Sequence, residues 1–81
     1  MSVQVTLLYF ASLRDAAGMA SETVQSVAVD LRGLYLEAQA RHGFVLPLER
    51  LRVAVDGAFA HWDDAVPDGA EVAFIPPVSG G

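Results

Sequence analysis

The sequence predicts an α+β fold, a mixed sheet of four to five strands covered on one face by one main helix. Three observations lead there. Only one stretch, opening at Asp30, keeps apolar residues at helical spacing for about three turns. The segments on either side alternate apolar and polar residues with the two-residue period of a strand. The last three strand segments are separated by Asp56-Gly57 and Pro67-Asp68-Gly69, both strong turn signals.

Val3 to Phe10 forms the first strand, with Val3, Val5, Leu7 and Tyr9 on one face and Gln4 and Thr6 on the other. Leu8 and Phe10 make both faces apolar at its end, so the second face is expected to meet something as well. Ala11 to Gly18 reads as a short helical turn closed by glycine, and a poorly patterned strand follows from Glu22 to Val29. Asp30 is an N-cap, Leu31, Leu34, Tyr35 and Ala38 fall on one helical face, and Gly43 stops the helix just after His42. Pro47 ends the connection. Leu51 to Asp56 is a strand, Asp56-Gly57 a tight hairpin, and Ala58 to Trp62 its return. Glu71 to Ile75 is the last strand, ended by Pro76 and Pro77, which cannot donate to a ladder hydrogen bond. The expected core is Val3, Val5, Leu7, Leu31, Leu34, Tyr35, Val53, Val55, Val72 and Phe74. Leu8, Phe10 and Ile75 are expected on the open face.

The 81 residues suffice for one small domain, expected to span residues 1–75 with an extended tail at 76–81. A hydrophobic content of 53% excludes intrinsic disorder. A net charge of −5 and five arginines without a lysine disfavour nucleic acid as a partner, because phosphate affinity rests on clustered cations. Without cysteine the chain offers no disulfide, no Cys-ligated zinc and no thiol nucleophile. The longest mainly apolar run, Val5 to Ala11, is too short to cross a bilayer, so the expectation is a cytoplasmic protein with no membrane partner. His42 and His61 have no partner at ligand spacing, and no metal site is expected. Asp63-Asp64 reads as a solvated turn.

The most informative segment is Pro76-Pro77-Val78-Ser79-Gly80-Gly81. Two prolines hold the chain extended beyond the last strand, and six residues reach at most about 20 Å. Glycines at the tip carry no Cβ, so a narrow channel can close around the backbone and receive the terminal carboxylate. A carboxylate is a poor electrophile, so something must activate it. ATP does so by forming an acyl adenylate whose AMP departs readily.

The ending Asp68-Gly69-Ala70-Glu71-Val72-Ala73-Phe74-Ile75-Pro76-Pro77-Val78-Ser79-Gly80-Gly81 closely resembles that of the small, sulfur-carrier subunits of molybdopterin synthase. The opening Leu8-Tyr9-Phe10-Ala11-Ser12-Leu13-Arg14-Asp15-Ala16-Ala17-Gly18 is similar to the same family's. Departures lie in the middle, at Ala54-Val55-Asp56 and at Gly33 within the helix. The resemblance implies a ubiquitin-like β-grasp fold. It implies that Gly81 is adenylated by an ATP-dependent activating enzyme and converted to a thiocarboxylate by a sulfurtransferase or cysteine desulfurase. The tail then donates sulfur to cyclic pyranopterin monophosphate inside the large subunit of a heterotetramer. On that reading the small subunit binds no permanent cofactor, and the catalytic residues belong to the large subunit. Pro76, Pro77, Val78, Ser79 and Gly80 are the expected partner contacts along the tail, and Ile75, Phe10 and Leu13 those on the body. Two rival readings share the terminal glycine chemistry, a sulfur carrier for thiamine or cysteine biosynthesis and a ubiquitin-like protein modifier. Pro76-Pro77-Val78 disfavours the first, and the lack of lysine prevents lysine-linked chains of the second.

Overall fold

The computed structural model describes residues 2–77. In chain order the elements are β1 (Val3–Tyr9), α1 (Ala11–Ala17), β2 (Ser21–Ser26), α2 (Leu31–His42), a single 3-10 turn (Leu48–Arg50), β3 (Arg52–Val55), β4 (Ala58–Ala60) and β5 (Glu71–Ile75). The five strands form one sheet in the order β2-β1-β5-β3-β4. The central pair, β1 and β5, is parallel, and every other pairing is antiparallel. The mixed sheet and main covering helix expected from the sequence are present. The pairing of the first strand with the last, on which the sequence was silent, puts β5 at the centre and the tail's root beside β1.

The strand period sorts the side chains between two faces. Leu7, Val72 and Val55 stand in one row, and Tyr9, Phe74, Val53 and Ala60 in the next. Both rows face α2, which buries Leu31, Leu34, Tyr35 and Ala38 against them. Those four positions follow the i, i+3, i+4, i+7 spacing of a helix face. Asp30 caps α2 by accepting from the Gly33 backbone N–H at 2.8 Å. The two preceding helix N–H groups, of Leu31 and Arg32, donate to the carbonyls of Asp64 and Trp62. All three N–H groups, which have no acceptor within the helix itself, are thereby satisfied from outside it. A Cβ on Gly33 would lie 3.3 Å from both the Ala28 Cβ and the Asp30 carboxylate, so glycine suits the close approach of this loop to the helix.

Several boundaries differ from expectation. β1 stops at Tyr9, because Phe10 becomes the extended N-cap of α1. β2 is Ser21–Ser26 rather than Glu22 to Val29, since Val27 and Val29 leave the sheet for solvent. β4 ends at Ala60, where the His61 N–H donates to the Asp64 carboxylate and closes a turn. Val3 and Val55, expected inside, are half-buried. Phe44, Leu51 and Val66 join the core instead.

On the helix side of the sheet edge, Glu22 gathers three donors from two other elements. Its Oε2 accepts from the Tyr9 hydroxyl, lies 2.6 Å from His42 Nε2, and is 3.6 Å from the Arg41 guanidinium. Burial alone pushes the Glu22 carboxyl up. The hydrogen bonds from Tyr9 and His42 and the neighbouring charges outweigh it and hold the group below the usual carboxylate range. Burial, then the bond to Glu22, pushes the Tyr9 phenol up. A depressed folded pKa stabilises the fold fully above the ordinary glutamate value of about 4.3, and that stability is lost as pH falls through the lower folded value. Glu22→Gln is therefore expected to lower stability at neutral pH and to flatten the acid limb below about pH 4.3. Urea midpoints measured from neutral to acid pH check this, and parallel curves for the two proteins would contradict it.

Candidate functional site: the open sheet face and the root of the tail

The second face of the sheet carries no helix. Here the register aligns Leu8, Ala73, Ala54 and Phe59 in one row across β1, β5, β3 and β4. Two alanines in the middle of a row flanked by larger side chains make a trough with a shallow floor. Ala54 and Ala73 are only 7% and 9% exposed, walled in by Phe10, Phe59 and Ile75. Phe10 and Phe59 stand 45% and 68% exposed at the rims. The trough encloses about 270 Å³.

The hairpin that presents Phe59 is built by Asp56 and Gly57. Both have positive φ, 50° and 86°, and they join the Val55↔Ala58 pair as a two-residue turn. Asp56 is fixed further by its side chain, which accepts from the Glu71 N–H at 2.9 Å. One row nearer the chain's exit, Arg52 pairs with Ile75. Its guanidinium sits 5.5 Å from the Phe59 ring centroid, a cation–π arrangement. Arg50, Arg52, Phe59, Ile75, Pro76 and Pro77, with Glu49 and Leu51, line a second groove of about 330 Å³ that continues the trough to the last described residue.

The structure therefore brings Phe10 and Ile75 together in one trough, with Pro76 and Pro77 at its end, as the sequence suggested. Leu13 is a correction: it is 1% exposed and belongs to the core on the helix side, so it cannot touch a partner. Phe10 is extended, Ala11 takes a positive φ of 50°, and the α1 that follows packs Leu13 into the core. Val78, Ser79, Gly80 and Gly81 lie outside the described residues. Ala54, Ala73, Phe59 and Arg52 were missed. Alternation along β3 and β5 puts Ala54, Ala73 and Ile75 on one face, and the Asp56-Gly57 turn fixes Phe59 opposite Ala54, so that signal was available. His42 serves the Glu22 cluster and His61 the turn after β4. Among the described residues no group of His, Cys, Asp and Glu could hold a metal ion, and no helix is long and apolar enough to cross a membrane.

A five-stranded mixed sheet with parallel central strands, one main helix across one face and a free opposite face defines a ubiquitin-like β-grasp domain. The ubiquitin of Caldiarchaeum subterraneum superposes on it with a TM-score of 0.66 over 100% of both chains, at 14% identity. The chain belongs to the ThiS family, whose sequence profile matches residues 7–81. It is 36% identical over 84 residues to the human molybdopterin synthase sulfur carrier subunit, covering 96% of this chain and 94% of that one. Among solved structures, a putative molybdopterin converting factor subunit 1 from Pyrococcus furiosus matches with a TM-score of 0.77 at 30% identity, over 94% of this chain and 99% of the other. A chain of the complex of subunits 1 and 2 of the Helicobacter pylori molybdopterin-converting factor shares the fold, with a TM-score of 0.65 at 22% identity over 98% and 100% of the two chains.

Proposed function

We propose that this protein is the sulfur carrier of a molybdopterin synthase and that it works by presenting Gly81 to the active site of a large subunit. The observation that supports this best is the 36% identity to a sulfur carrier subunit along nearly the whole chain. It joins a strand that leads through Pro76 and Pro77 toward the diglycine from the edge of an apolar trough. The relative solved as a complex of subunits 1 and 2 supports a two-subunit assembly.

The chemistry follows from the terminus. The Gly81 carboxylate attacks the α-phosphorus of ATP, pyrophosphate leaves, and an acyl adenylate forms on the activating enzyme. A persulfide sulfur from a sulfurtransferase or cysteine desulfurase displaces AMP. A second thiol then cleaves the S–S bond and leaves the thiocarboxylate. In the large subunit that sulfur attacks a carbon of cyclic pyranopterin monophosphate as a C–O bond there breaks, and water then hydrolyses the resulting thioester, leaving sulfur on the pterin and the Gly81 carboxylate restored. The carrier's own residues contribute docking through Phe10 and Ile75 and reach through the tail. No side chain of the carrier performs catalysis.

Intact-protein mass spectrometry tests the reading. After incubation with activating enzyme, ATP and a persulfide donor, the chain is expected to gain the mass difference of one sulfur for one oxygen, localised to Gly81. An unchanged mass overturns sulfur carriage. Covalent adducts with other proteins in place of the sulfur would point to the modifier reading.

A further inference from the structure

The cationic end of the trough has no task in sulfur chemistry. Two of the five arginines are committed to carboxylates inside the fold, Arg32 to Asp63 and Asp30, and Arg41 to Glu22. Arg50 and Arg52 have no ion-pair partner among the described residues, although the chain carries ten acidic side chains. Both are exposed, and both line the groove at the root of the tail. Arg52 is held in place by Ile75 across the ladder and by the Phe59 ring. The opposite end of the trough carries a carboxylate, Glu71. The open face thus has polarity along the strands, negative at the Glu71 end, apolar over Ala54 and Ala73, and net positive where the chain leaves, since Arg50 and Arg52 outnumber Glu49, the one carboxylate lining that groove among the described residues. In a protein of net charge −5, such a local reversal of sign selects for an opposite charge on whatever docks there.

We infer that Arg50 and Arg52 are a specificity-determining pair that engages an acidic rim on the large subunit, carboxylates flanking the opening through which the tail enters. The inference rests on the docking reading above and adds the partner's chemistry and its orientation. An apolar trough alone lets a partner slide along the strands. A cationic pair at one end fixes which way round it sits, with the tail at the opening. Arginine suits the task, since its planar fork meets carboxylates in paired hydrogen bonds and stacks on the Phe59 ring at the same time.

The test measures affinity for the large subunit by titration at low and high salt, with circular dichroism confirming that each variant is folded. Arg50→Gln/Arg52→Gln removes two positive charges. Leu36→Glu/Ala40→Glu, on the exposed side of α2, produces the same net charge away from the trough. The arginine variant is expected to bind about tenfold more weakly and to lose most of its salt dependence, while the helix variant behaves as the parent. Equal loss in both variants, or arginine-variant binding within about twofold of the parent, overturns the inference. Phe10→Asp reports separately on the docking face. If it binds as the parent does, or if the parent fails to bind at all, the docking reading itself falls. Phe10→Asp weakened and the arginine variant untouched removes only the acidic rim. A salt-sensitive arginine effect seen with the activating enzyme and absent with the large subunit would assign the acidic partner to that enzyme, also against the inference.

Discussion

Deleting Gly81 is expected to reduce sulfur delivery to background while leaving the thermal unfolding of the domain unchanged. Distance decides the outcome. Losing one residue withdraws the terminal carbonyl by about 3.5 Å, and a misplacement of about 1 Å at a reacting centre already costs on the order of a hundredfold in rate. Prolines at Pro76 and Pro77 prevent the tail from recovering that length by extending further at its root, since their φ is fixed. The remaining residues cannot exceed a fully extended chain. A loss of at least about a thousandfold is expected in the conversion of cyclic pyranopterin monophosphate by reconstituted synthase, more than a single misplaced contact would cause. Amidation of Gly81 keeps the length and removes the ionisable oxygen, so it separates reach from chemistry. Both forms are expected to be inactive, and both to melt with the parent. Normal turnover by either would mean that the reacting group lies elsewhere on the domain.

Reach matters only if the root of the tail is held still, and this is where sequence and structure divided. Glu71 to Ile75 was legible to the residue, because a Pro-Asp-Gly turn opens it and two prolines close it, and each acts through the local backbone. The cap at Asp30 and the stop at Gly43 were legible for the same reason. Leu13 was not. One leucine in a seven-residue helix has no periodic companion to say which way it points, and its burial depends on how the chain turns between Phe10 and Ala11, where φ is positive. The alanine floor of the trough was half legible: alternation put Ala54 and Ala73 on the open face, but not side by side. Ala54 and Ala73 resemble any small residue in sequence, and they become a surface feature only when four strands line up Leu8 and Phe59 on either side. Arg52 belongs to the same class, its position over Phe59 requiring the β3–β4 hairpin to be closed first. Local signals thus set the elements, and the lateral register of the sheet made the site.

The residue on which that register leans hardest is Phe74, and Phe74→Ala is expected to destabilise the domain by about 3–5 kcal/mol. Phe74 is fully buried in the central strand, between Tyr9 of β1 and Val53 of β3. Its ring meets Tyr35 of α2 edge-on at 5.2 Å, stacks on Trp62 at 6.1 Å and on Tyr9 at 6.5 Å. It thereby joins the helix, the loop that caps the helix and both neighbouring strands. A domain of this size has roughly 4–12 kcal/mol of total stability, so the substitution removes a large fraction of it. The expected fall in melting temperature is at least about 12 °C, at about 4–8 °C per kcal/mol. Phe10→Ala, at an exposed ring of the same size, is expected to change stability by less than about 0.5 kcal/mol. The pair also separates fold from function: Phe10→Ala should weaken partner binding in a well-folded chain, whereas Phe74→Ala loosens the strand that carries Ile75, Pro76 and Pro77. At a temperature where Phe74→Ala remains folded, its sulfur transfer should still be slower than the parent's, because the tail is no longer anchored one residue before the trough. Equal melting temperatures for the two alanine variants would show that the aromatic cluster is not what holds β5 in place.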